Sequence, residues 1–198
     1  IQTHLRTSIN VVDLRNNQAD MMISFIPDTS ADLDHVLVGK MHFTTVASSY
    51  YLEEFGMPSI HDVESHMFID TDFYRATGGF WKDWQALVGR GTLASVCESS
   101  LAYAVAVRSG LGIGLLATYV LQDKTFQQID LGIHLAVPVY VTTLVDRLDL
   151  PQVVAVRDWL IQLFAVSPIG FKSDPLATDV KTESPAKVVA AMVPLGSG

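Results

Sequence analysis

The stretch ESSLAYAVAVRSGLGIGLLA, Glu98 to Ala117, constrains the fold more than any other part of the chain. Its first half holds good helix formers with apolar residues at Leu101, Ala104, Val105 and Val107, and Ser99 or Ser100 stands ready as N-cap. Gly110 falls where such a helix stops, because a left-handed residue after the last turn costs glycine nothing. The apolar run that follows is short and bounded by glycine, which fits a strand buried on both faces. Gly110, Gly112 and Gly114 also have a spacing that invites a phosphate-binding reading. That motif needs a strand before the glycines and a helix after them, and here the order is reversed.

The rest of the chain alternates in the same way. IQTHL (1–5), SINVVDLRNN (8–17) and ADMMISFI (19–26) read as strand, helix, strand, with Ser8 as N-cap and Pro27 ending the unit. Parallel strands joined by helices bind ligands beyond their carboxyl ends, and the loop Arg6, Thr7, Ser8 is expected at such an end. PDTSADLD is a polar turn, and HVLVGKMHFTTVAS supplies one or two strands. Residues 48–66 read as two short helices around a break at Gly56 to Pro58. MFIDT is a strand, FWKDWQALVG a helix stopped by Gly89, and TLASVC a strand leading into the helix already described. HLAVPVYVTT is extended again. LPQVVAVRDWLIQLF is the clearest helix: Pro151 suits its first turn, and Val153, Val156, Leu160, Ile161 and Phe164 form one stripe with Gln152, Arg157, Asp158 and Gln162 off it. Beyond Pro168 the periodicity decays, so 171–198 reads as a tail or linker.

Several function classes fall away on composition and spacing. Of the 198 residues 49% are hydrophobic and 17% charged, yet no run is long enough to span a membrane. A net charge of −8 argues against this chain gripping a phosphate backbone, so any DNA contact is expected outside it. Cys97 is the single cysteine, which excludes an internal disulfide, suits a reducing compartment and reads as a buried structural thiol. IQTHLRTS lacks a basic start and an apolar core, so no signal peptide is visible, and without an initiator Met a preceding portion is expected. His61 and His66, five apart, lie about 140° apart around a helix, unlike the i,i+4 pair of a zinc helix, so no metal is expected there. Trp81 and Trp84 at i,i+3 read as core before they read as a stacking platform. No Gly-x-Ser-x-Gly elbow marks a nucleophile, so catalysis has no carrier, and no cofactor is called for.

Four segments in order resemble the effector-binding domains of LysR-type transcriptional regulators: VVDLRNNQADMMISF, VASSYYLEEFGMPSIHDVESHMFI, ESSLAYAVAVRSGLGIGLLATYV and PVYVTTLVDRLDLPQVVAVRDWLIQLF. Together they cover roughly Gln2 to Phe164. The resemblance implies an α/β fold of two Rossmann-like lobes joined by two crossover strands, like a type 2 periplasmic binding protein. The crossovers would fall near Phe43 to Ala47 and Ala136 to Thr142, giving 1–47 with 136–170 as one lobe, 48–135 as the other, and 171–198 as tail or linker. The family's helix-turn-helix and first strand and helix have no counterpart here, and Leu116-Ala117 stands where relatives carry Leu-Pro.

By the same resemblance a small effector, a small organic acid or hydroxylated aromatic, binds in the interlobe cleft and changes how a cytoplasmic homodimer or homotetramer presents its DNA-binding domains. Candidate ligand contacts are Thr7 and Ser8 at the first helix start, Ser99 and Ser100 at the start of the long helix, and Thr71 after MFI. For Ser8 and for the Ser99–Ser100 pair, simple N-capping competes with ligand contact, and both roles can coexist. Thr71 is preferred to Asp70, whose charge would repel an anion. A transporter's solute-binding protein has the same architecture and is the alternative function.

Overall fold

The computed structural model describes residues 1–8, 12–25, 30–77 and 79–166. Its contacts divide the chain into two compact units, one formed by 1–41 with the segment from Val137 onward, the other by His42–Ala136. The second is one continuous stretch of chain; the first is assembled from two stretches distant in sequence.

In the first unit β1 (Met21–Ser24) pairs antiparallel with the carboxyl-terminal part of β7 (His134–Leu144), Met21 facing Thr143 and Ser24 facing Tyr140. β7 in turn neighbours β2 (Leu33–Ser48) in the sheet. Alternation along a strand sends successive side chains to opposite faces. One face carries Met21, Val36, Val38, Val139 and Val141, against which α5 (Pro151–Val166) packs Leu160, Ile161 and Phe164. The other gathers Leu33, Leu144 and Met22 with Leu14 and Val12. The predicted stripe of α5 is thus the face that packs. Leu163 joins it as a buried residue, and Arg157, placed off the stripe by periodicity, reaches Asp34 on β2 with Nε 2.9 Å from the carboxylate. A second arginine, Arg147, donates to the Leu14 and Ala19 carbonyls, to the Asp20 carboxylate and to the Asn17 side chain, pinning the segment before β1.

The expected amino-terminal strand–helix–strand unit is not what forms. Residues 1–8 carry no regular secondary structure, 14–17 make a turn, and β1 is antiparallel to its partner. The reason is burial: Ile1 is 78% and Leu5 90% exposed, so a strand there would have no apolar face to cover. Residues 9–11 of the expected helix, Pro27, and the tail 171–198 lie outside the described residues.

The second unit follows the predicted order closely. From His42 to Ser48 every residue of β2 is buried, and β5 (Gly114–Ala117) pairs antiparallel with it, Phe43 facing Ala117. β6 (Phe126–Gln128) pairs with the end of β2. α1 (Ser49–Phe55) is capped by Ser48, whose Oγ accepts from the Tyr51 N–H at 3.2 Å. β3 (Met67–Thr71) and β4 (Thr92–Cys97) form a parallel pair, connected through α2 (Asp72–Thr77) and α3 (Lys82–Val88), and β4 leads into α4 (Ser100–Arg108). Trp81 and Trp84 are both buried: Trp81 stacks on Tyr74 with ring centres 4.2 Å apart and meets Phe43 edge-on, and Trp84 packs against Phe68.

The glycine run finds its explanation here. Gly110 takes φ +87°, the left-handed turn that ends α4. At Gly114 a Cβ would lie 2.5 Å from Val107 Cγ2 and 3.0 Å from the Tyr103 hydroxyl, so only glycine lets α4 approach β5 this closely. That approach brings Tyr103 within reach of the backbone: the Leu115 N–H donates to Tyr103 Oη at 2.7 Å, while Tyr74 Oη donates to the Leu115 carbonyl at 2.9 Å. Burial pushes both phenols well above their ordinary ionisation range, so they remain neutral donors and acceptors.

Candidate functional site

The parallel pair β3–β4 brings together three of the five hydroxyl residues singled out by sequence. The register sets Thr71 opposite Cys97, so both strands finish at one edge, and Ser99 and Ser100 follow two and three residues beyond Cys97. Thr71 is buried, and its Oγ1 accepts from the Phe73 N–H at 3.4 Å, which holds the turn into α2. Ser99 is the N-cap of α4, extended at φ −110°, ψ 131°, its Oγ accepting a long 3.5 Å bond from the Ala102 N–H. So weak a cap leaves the hydroxyl readily diverted to another partner. Ser99 and Ser100 are both exposed at the start of a nine-residue helix, where the amide ends of the peptide dipoles favour negative charge.

Asp70, next to Thr71, is fully committed to the fold. Its carboxylate accepts from Trp84 Nε1 at 2.9 Å and from Gln85 Nε2 at 3.0 Å, tying α3 to the end of β3. Cys97 is half-buried rather than buried, since it ends an edge strand whose outer residues Thr92 to Ala94 are exposed. Thr7 and Ser8 belong to the other unit and are exposed in the irregular segment 1–8, not at a strand's carboxyl end. The capping expected of Ser8 involves residues outside the described ones. His61 is exposed, whereas His66 is buried with Nδ1 3.0 Å from the Tyr51 hydroxyl, which in turn accepts from the Met67 N–H. The two histidines therefore serve different surroundings, and His66 is part of the packing beneath β3.

Tyr103 and Tyr74 were not among the candidates from sequence. A glycine in a buried strand following a tyrosine-bearing helix is the signal that points to them.

A model of the LysR substrate-binding domain matches residues 1–165. The chain belongs to the LysR substrate-binding domain family. Solved structures give the same fold class, α/β and of the periplasmic-binding-protein type 2 kind. The effector domain of the regulator AmpR of Pseudomonas aeruginosa is 21% identical with a TM-score of 0.63, over 82% of this chain and 81% of that one. The regulatory domain of CcmR from Synechocystis PCC6803, in complex with 2-PG, is 18% identical with a TM-score of 0.57, over 77% of each chain. Full-length LysG from Corynebacterium glutamicum, with bound effector Arg, is 19% identical with a TM-score of 0.57, over 77% of this chain and 53% of that one. This LysR domain thus spans about half the length of that full-length regulator. No curated protein sequence matches it. Among its described residues no helix is long and apolar enough to cross a membrane.

Proposed function

We propose that this domain is the effector sensor of a bacterial LysR-type transcriptional regulator: it binds a small organic metabolite and, through a homodimer or homotetramer, alters DNA binding and transcription by the whole cytoplasmic protein. DNA is contacted by a separate amino-terminal domain, in keeping with the charge of −8 carried here. The observation that carries this reading is the family match over 1–165, which also favours a regulator over a transporter's solute binder. The domain is read as a binder and not a catalyst.

Relatives with bound Arg and with 2-PG show that the family's ligands differ in chemistry, so the effector class has to come from this chain's own residues. Thr71, Ser99 and Ser100 offer hydroxyls and helix-start amides at one strand edge, which suits a small organic acid or a hydroxylated aromatic. Thr7 and Ser8 are the ligand contacts proposed in the first unit. Any effector that switches the protein must bind one of its conformations more tightly than the other.

The test is a thermal-shift screen of small carboxylic acids and phenols, followed by titration of each hit. A binder at about 100 times its dissociation constant stabilises the fold by roughly 2.7 kcal/mol. Ser99→Ala and Thr71→Val are expected to weaken a hit about tenfold each, the loss of one hydrogen bond to a charged or hydroxyl group. Hits whose affinity neither substitution changes would remove these residues from the site.

A further inference from the structure

His42 and His134 lie far apart in sequence and meet on adjacent strands. His42 stands on β2, and His134 opens β7, the neighbour of β2 in the sheet. Both belong to the second unit. His42 Nδ1 and His134 Nε2 are 3.3 Å apart, with ring centres 5.4 Å apart and planes inclined at 38°. Zinc–imidazole bonds of about 2.0–2.1 Å in tetrahedral geometry place two nitrogens about 3.3–3.4 Å apart. The observed separation equals that ligand edge, and without an ion the same distance lets one ring donate to the other.

We propose that His42 and His134 form a two-histidine site for a borderline divalent transition-metal ion, of the zinc, nickel and copper class. Imidazole nitrogens select that class, whereas magnesium and calcium require oxygen ligands. His42 is 8% exposed, which fixes one ligand in packed surroundings, while His134 is exposed and gives the ion a way in. No group of three or more His, Cys, Asp or Glu able to hold a metal occurs among the described residues. The ligand set proposed is these two nitrogens, with exchangeable water or a small ligand in the remaining positions. Affinity is accordingly micromolar, not the far tighter grip of a closed structural site. The ion would clasp β2 to β7. This site is independent of the effector reading.

The test is isothermal titration of the 198-residue chain with zinc chloride in a non-chelating buffer, repeated with nickel and magnesium chlorides. One zinc per chain at micromolar affinity is expected, nickel binding at the same place and magnesium giving no heat. His134→Gln and His42→Gln are each expected to weaken zinc by about tenfold or more, and His61→Gln to leave it unchanged. Circular dichroism checks folding; should His42→Gln unfold, His134→Gln at its exposed position decides alone. Absence of zinc binding in the wild-type chain, or zinc affinity that survives His134→Gln, overturns the site.

Discussion

The two units solve the same packing problem with different materials. The second is built around aromatic rings, with Trp81, Trp84, Tyr51, Tyr103 and Phe68 among its fully buried side chains, and it satisfies a strand backbone with phenol hydroxyls. The first is aliphatic, Val38, Val139 and Val141 beneath Phe164, and it ties its distant pieces together with Arg147 and Arg157. A contiguous segment brings its helices to its sheet by short connections, so large rings and close glycine contacts can be placed accurately. A unit assembled from two ends of the chain needs long side chains that bridge a gap.

The largest test of this difference removes a ring. Trp81→Ala is expected to cost about 3–5 kcal/mol, read as a fall in the urea midpoint, because the site is too tightly packed to collapse. A cost near 1 kcal/mol would mean that the aromatic cluster is not what stabilises the second unit. A smaller effect compares the polar fastenings. Tyr103→Phe strands the buried Leu115 N–H and is expected to cost about 1–3 kcal/mol, with hydrogen exchange accelerated along β5. Arg147→Met is expected to cost a similar amount at most, its signature being faster exchange or proteolysis at residues 14–20. If Arg147→Met instead accelerated exchange along β5, the two units would share one fastening and the contrast would fail.

The smallest expected effect is one of pH. Arg108 beside Asp123, with the Thr125 N–H, holds that carboxyl down to about 2. Because the folded value lies below the unfolded one, near 3.9, the stabilisation is complete above the unfolded value and is lost as pH falls through about 2. Both side chains are well exposed, so solvent screening reduces the gain to a few tenths of a kcal/mol. Arg108→Gln should therefore lower the urea midpoint slightly at neutral pH and less still near pH 2. An equal loss at both would assign the effect to packing.

Legibility from sequence follows the same divide. MFIDT and TLASVC coincide with β3 and β4, and the helix from Ser99 to its stop at Gly110 is where capping rules put it. Each signal there is complete within its own short segment. Thr71, Ser99 and Ser100 were singled out for the same reason, since residues that close or follow a strand are recognisable once the strand is. The first unit misled at residues 1–5, where apolar letters suggested a strand but Ile1 and Leu5 are exposed, and at β1, whose antiparallel partner lies at the far end of the chain. Arg157 was placed off the apolar stripe because helical periodicity carries no knowledge of Asp34. His42 and His134, 92 residues apart, leave no local trace at all.

One consequence of the Leu115 arrangement concerns other molecules. β5 ends its sheet, and the outward-facing amide and carbonyl of such a terminal strand normally offer a template on which a foreign chain can add itself. Two phenols already occupy those positions at Leu115, one from α2 and one from α4, and β3 exchanges backbone hydrogen bonds with Ile113 just before the strand. Concentrated solutions of the protein should thus be spared stacking through this border, a protection bought by leaving one position of the strand without a side chain.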